Sequence, residues 1–164
     1  MKLKLPPWLN VILLVLGSTA LYTYIGQLVP QKMVLPPVET VIPKNLSSAD
    51  LAQVGRSIAE GKGLCLTCHT IGKSGSLRFP DLQGIATRAG ERIPGVDSLH
   101  YMAMSIYHPD QFIVPGFNPG MPKIDKPPIA LNDQEIVAVI AFLQSLGGTP
   151  SVTPETTKAE LGVE

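Results

Sequence analysis

The stretch "GLCLTCHTIG", residues 63–72, holds both cysteines of a 164-residue chain, and His69 directly follows the second. Cys65 and Cys68 stand three positions apart. Several chemistries use such a pair. A redox dithiol sits between a strand and a helix in a βαβ unit, and no strand pattern precedes Cys65. A tetrahedral zinc site needs four nitrogen or sulfur ligands. Here His100 and His108 lie far along the chain, with no second close pair. A disulfide across this spacing closes a tiny loop and gains little. Covalent haem attachment uses every residue of the motif. Two thiols on a short turn add to the two vinyl groups of haem, and the adjacent imidazole becomes an axial ligand of the iron. The motif therefore reads as one haem c bound through Cys65 and Cys68, with His69 on the metal.

Composition supports a cofactor of that kind. Aromatic residues make up 5 % of the chain, a thin filling for a core. A small domain with so few gains from a large apolar group at its centre. Formal net charge is zero, so nothing points to nucleic acid.

Leu5 to Gln31 contains no charged residue. Its centre, "WLNVILLVLGSTALYTYIGQLV" from Trp8 to Val29, would span about 33 Å as a helix, enough for the hydrocarbon layer. Trp8 near one end and Tyr22 and Tyr24 toward the other suit the two interfaces. Lys2 and Lys4 precede the run, which places Met1 in the cytoplasm and the rest on the periplasmic or extracytoplasmic side. Ser18 and Ala20 also allow a signal-peptide cleavage site, although the apolar run extends further than a signal needs. Residues 1–30 thus read as a single transmembrane anchor. Residues 31–46, with prolines and no helical period, read as a semi-rigid tether.

The next segment, "SSADLAQVGRSIAEGK", predicts a helix capped by Ser47 or Ser48, favoured by Asp50 and stopped by Gly61 and Gly63. Gly55 inside it costs about 1 kcal/mol against Ala and implies close approach of another backbone. A second helix is predicted at 97–107, ending near Pro109. The third, "LNDQEIVAVIAFLQSLGG", has Asn132 as cap, Glu135 as capping-box partner and Leu131 with Ile136 as a staple. Ile136, Val139, Ile140, Leu143 and Leu146 form its apolar stripe. No repeat and no strand is evident. The expectation is an all-α domain at 47–148, followed by a loose polar tail at 149–164.

The second axial position has several candidates. Met33 falls in the tether, Met102 and Met104 fall on a predicted helix and read as core, and His100 and His108 read as structural. Met121 sits in "VPGFNPGMPKIDKPP", where prolines and glycines forbid a helix. A rigid loop presenting one thioether to a flat porphyrin gives that loop a purpose, and Met121 is the favoured ligand; its bland reading is a gap-filler.

From about Ala49 to Leu146 the chain resembles the class I c-type cytochromes. "VGRSIAEGKGLCLTCHT" looks like their first helix entering the haem motif, and "FPDLQGI" at 79–85 is similar to their Pro-x-Leu-x-Gly segment. "SIYHPDQFIVPGFNPGMP" and "LNDQEIVAVIAFLQSL" resemble the methionine loop and the last helix. The resemblance implies that the Pro80 carbonyl accepts a hydrogen bond from the His69 ring, that Met121 supplies the axial sulfur, and that Gly55 meets the Val139/Phe142 face. Ala59 stands where many members carry an aromatic. Ile85, Ile106, Ile113, Val114, Phe117 and Leu143 are expected to wall the pocket, and Gly63, Leu64, Leu66 and Thr67 to flank its outer edge.

A haem closed on both faces has no place for a substrate, so the expected function is one-electron transfer, not enzymatic catalysis. Residues 56–92 carry six Lys/Arg against three acids, and residues 93–164 three against eight. That polarity is too weak to steer a free carrier strongly. A membrane-held subunit or partner of a respiratory or photosynthetic complex is expected instead, its tether raising the effective concentration. The layout is similar to the monohaem subunit of alternative complex III, a quinol-oxidising assembly. The competing function is a small-ligand sensor or peroxidase-like enzyme with a displaceable methionine.

Overall fold

A computed structural model describes residues 6–30 and 41–163. Most of the expected tether, with Met33, lies outside the described residues. The chain divides into two units, Met1–Pro37 and Val38–Glu164.

In the first unit, α1 runs from Pro7 to Leu28. Pro7 occupies the first helical position, where its missing N–H costs nothing. None of its residues is buried, and its 22 residues are long and apolar enough to cross a membrane. Ser18 and Thr19 donate their hydroxyls to the Leu14 and Val15 carbonyls one turn back, at 2.7 and 2.8 Å. The polar side chains are thereby satisfied within the helix, as an apolar surrounding requires.

The second unit contains α2 (Ser48–Glu60), α3 (Cys65–Cys68), α4 (Ile85–Arg88), a 3₁₀ turn (Ala89–Glu91), α5 (Ser98–Tyr107) and α6 (Asp133–Ser145). No strand occurs among the described residues. Each longer helix begins on a side-chain cap. Ser47 accepts the Asp50 N–H, Asp97 accepts the His100 N–H, and Asn132 and Glu135 form a reciprocal capping box at 2.9 Å each way. Asp97 is thus the cap of α5 and not its first residue.

The most extensive contact in the unit joins α2 to α6. Leu51, Ala52, Gly55, Ile58 and Ala59 form one buried stripe on α2. Gly55 lies against the Ala138 carbonyl, and a Cβ there would overlap it. The crossing is centred on the Ala138–Val139 backbone, one position from the Val139/Phe142 face expected from resemblance. On α6, Ile136 through Phe142 are all buried, because α2, α5 and the end of the chain cover different sides. Ala59 is fully buried, with cavity space beside it.

Glu135 has a second task. Its fully buried carboxylate accepts Lys62 Nζ at 2.7 and 2.9 Å while serving the capping box. This ion pair fastens the segment just before Cys65 to the start of α6.

The expected loose tail is instead packed. Val152, Leu161 and Val163 belong to the hydrophobic core. Buried Gln144 accepts the Ser151 N–H at 2.9 Å and donates to its hydroxyl at 2.8 Å. Lys158 lies 3.1 Å from Asp133 and over the Tyr107 ring, and the Tyr107 hydroxyl donates to Asp133. Before α2, Ile42 also joins the core, so the end of the segment read as tether is part of the folded unit.

Two substitutions test this frame. Gly55→Val should lower stability by about 3 kcal/mol or more, because the obstructing atoms are backbone. Lys62→Met should cost about 3–5 kcal/mol by leaving Glu135 buried and uncompensated. Urea midpoints of the variants, read by circular dichroism, measure both.

Candidate functional site

Cys65 opens α3 and Cys68 closes it, so one helical turn sets the two sulfurs on a common base. His69 caps that turn, its N–H donating to the Cys65 carbonyl at 2.9 Å. No disulfide joins Cys65 to Cys68. Burial pushes the Cys65 thiol up, whereas a redox dithiol needs a thiol pushed down. No cluster of three or more His, Cys, Asp or Glu side chains suited to a metal occurs among the described residues. The dithiol and zinc readings therefore have no support in the geometry.

The His69 Nδ1 lies 2.7 Å from the Pro80 carbonyl oxygen. A carbonyl only accepts, so Nδ1 carries the proton and Nε2 keeps the lone pair for a metal. The strand of chain bearing Pro80 is tied to the motif by more than this bond. Leu82 N–H donates to the Thr70 carbonyl at 2.7 Å, and the Thr70 hydroxyl donates to Asp81 at 2.6 Å. The Asp81 carboxylate also accepts the backbone N–H groups of Gly72, Lys73 and Gln83. Arg88 binds the carbonyls of Asp81 and Gln83 from the other side. The result is a polar clamp that holds residues 69–73 against 80–83. Sequence reading missed Asp81; its only trace there is an Asp placed two residues before the N–H it accepts, the pattern of a local Asx turn.

Cys65, Cys68, His69, Pro80 and Met121 all line one predominantly apolar cavity. Ile85, Ile106, Ile113, Val114, Phe117 and Leu143 line it too. Several of these, such as Ile113, Phe117 and Leu143, are only half-buried, and Leu143 also packs against the hydrophobic core. Met121 follows Gly120, whose φ of 134° is a conformation that favours glycine and that turns the loop toward the cavity wall. Met102 on α5 also lines the cavity, whereas Met104 is core. Neither His100 nor His108 lines it. His100 faces the chain end, where a Cβ on Gly162 would stand 3.0 Å from its Nδ1. At the outer edge Leu64 is half exposed, with a left-handed φ of 55°, while Gly63 is buried.

These residues fit a covalent haem. Two thiols and a correctly tautomerised imidazole share one wall, and the remaining walls suit a large apolar ring. Such a site on an all-helical frame defines a c-type haem protein. The family model for cytochrome c matches residues 52–147, more than half of the chain, and the chain belongs to the cytochrome c family. Family membership implies haem c on Cys65 and Cys68 and makes this a haem-based electron-transfer protein. No curated protein matches the chain.

Asp81 gives the site a pH signature. Its hydrogen bonds, that from Thr70 foremost, hold its carboxyl far below the ordinary carboxylate range. A depressed folded value means that the clamp stabilises the fold above the unfolded pKa of about 3.9. That contribution is lost as pH falls through the lower folded value. Asp81→Asn should therefore be less stable than the parent at neutral pH, with the difference shrinking in acid. Urea midpoints at neutral pH and at about pH 3 measure it; a constant difference would mean that the carboxylate charge is not what holds the clamp.

Proposed function

We propose that the chain is a membrane-held, one-electron relay whose haem iron is ligated by His69 and Met121. The haem-bearing domain would lie on the periplasmic or extracytoplasmic side, as a subunit or close partner of a respiratory or photosynthetic complex. A quinol-oxidising complex is the favoured setting. The single observation that carries the ligation is that Met121 and His69 line the same cavity as both thiols. The uncharged α1 and the Lys2/Lys4 flank support the anchor and its orientation.

The bound haem supplies a reversible ferric–ferrous couple. The chain's residues determine how that couple behaves. His69 is oriented by the Pro80 carbonyl, which also raises the basicity of its ring. Met121 offers a neutral, soft sulfur, which favours the ferrous state over a second imidazole. The apolar walls act in the same direction by disfavouring extra charge. With both axial positions taken by side chains, no substrate site remains, and the relay has no chemistry beyond the electron.

Met121→Ala should abolish the weak far-red sulfur-to-iron band of the ferric protein. It should also lower the midpoint potential, within the roughly 0.8 V range that axial ligands command. Met102→Leu should leave both unchanged. Should the band survive Met121→Ala and vanish in Met102→Leu, the ligand assignment moves to α5. Ready uptake of carbon monoxide by the ferrous parent at neutral pH would favour the sensor or peroxidase reading instead.

Replacing residues 1–30 with a cleavable export signal should release a soluble, haem-loaded domain, followed by fractionation and an alkaline pyridine haemochrome assay. Persistent membrane association without partner proteins would overturn the anchor assignment.

A further inference from the structure

Among the described residues, one buried side-chain nitrogen on the cavity wall has no hydrogen-bond partner. Arg92 follows the 3₁₀ turn and lines the cavity, and its Nε is buried without a hydrogen bond. It takes part in none of the ion pairs found among the described residues. No other Lys or Arg among the described residues lines the cavity. Arg88, four residues earlier, is spent on the Asp81 and Gln83 carbonyls. Asp81, the one carboxylate on the wall among the described residues, is spent on Thr70 and three backbone N–H groups. A buried guanidinium N–H on an apolar wall is costly unless an acceptor meets it, and an anionic acceptor suits its charge best. The group that occupies this cavity brings two. Its vinyl edge is fixed at Cys65 and Cys68, and its two propionate carboxylates leave from the opposite edge of the ring.

We propose that Arg92 is the carboxylate receptor of the cavity, pairing with a haem propionate and holding it ionised. The proposal rests on the covalent-haem reading. A guanidinium is a positive charge whose planar fork can bind a carboxylate through two donors at once. The other titratable groups on the wall are Cys65 and Cys68, which become thioethers, His69, which the haem reading places on the metal, Asp81, held ionised by its clamp, and the Tyr101 phenol. The chain then accepts one electron, ferric going to ferrous, with no bond made or broken and no proton taken up.

The test is potentiometry of the full-length, haem-loaded protein in mild detergent across neutral pH, beside Arg92→Gln and Arg92→Lys. The parent should show a flat potential. Arg92→Gln should show a lower potential, from loss of a nearby positive charge, and a pH slope from the released carboxylate. Arg92→Lys should recover most of both. Identical potentials and slopes in parent and Arg92→Gln overturn the assignment. A neutral-pH slope in the parent overturns it without needing any variant to fold. A parent potential that follows added chloride or phosphate also overturns it, since a solvent anion would then be the partner. Absence of an alkali-stable haemochrome in the parent is a separate failure, that of the haem reading itself, and removes Arg92's partner with it.

Discussion

The crossing of α2 and α6 is the constraint on which the domain depends. Two helices approach at backbone distance only where one offers no side chain, and here Gly55 meets the Ala138–Val139 peptide. With that point fixed, Ala59 at the end of α2 and Val139, Phe142 and Leu143 on α6 form neighbouring parts of one cavity wall. The chain leaving α2 passes directly into Gly61–Gly63 and the thiol-bearing turn. Lys62 is then held to Glu135 at the start of α6, 73 residues away in sequence. The crossing and the ion pair together place the cysteines relative to the wall opposite. The walls are apolar because the domain does not fill its own centre, and a porphyrin does.

On the proximal side the organising force is hydrogen bonding. A single Asp81 carboxylate collects one hydroxyl and three backbone N–H groups, and Arg88 secures the carbonyls around it. Pro80 lies directly before Asp81, so the clamp also sets where its carbonyl stands against His69. The outer loop carrying Met121 is held differently, by backbone turns and by the buried Ile124, whose carbonyl accepts the Leu131 N–H.

Much of this was legible in the sequence, for specific reasons. α2, α5 and α6 announce themselves through polar caps and a 3.6-residue apolar period. The CxxCH motif points to its cofactor because no other chemistry uses all three residues. All six wall residues expected from resemblance do line the cavity. The short turns α3 and α4 carry no period, since four residues are too few to show one. The chain end was misjudged because Val152, Leu161 and Val163 are spaced irregularly among polar residues. Thr157 and Glu160 do form a local cap there, Thr157 N–H donating to Glu160 at 2.7 Å, and that pairing was the one available sign of order. Arg92 left no trace in the sequence, because what marks it is a buried Nε without a hydrogen-bond partner among the described residues, and only the folded structure shows that.

The clamp around Pro80 and Asp81 bears on speed as well as position. An imidazole held from behind by a short bond, itself braced by four more to one carboxylate, has little freedom to shift when the charge in front of it changes. Each electron then demands only slight nuclear rearrangement on that side. On the proposed ligation by His69, that side of the carrier adds little to the barrier, and distance to the donor and acceptor weighs correspondingly more in the rate of exchange.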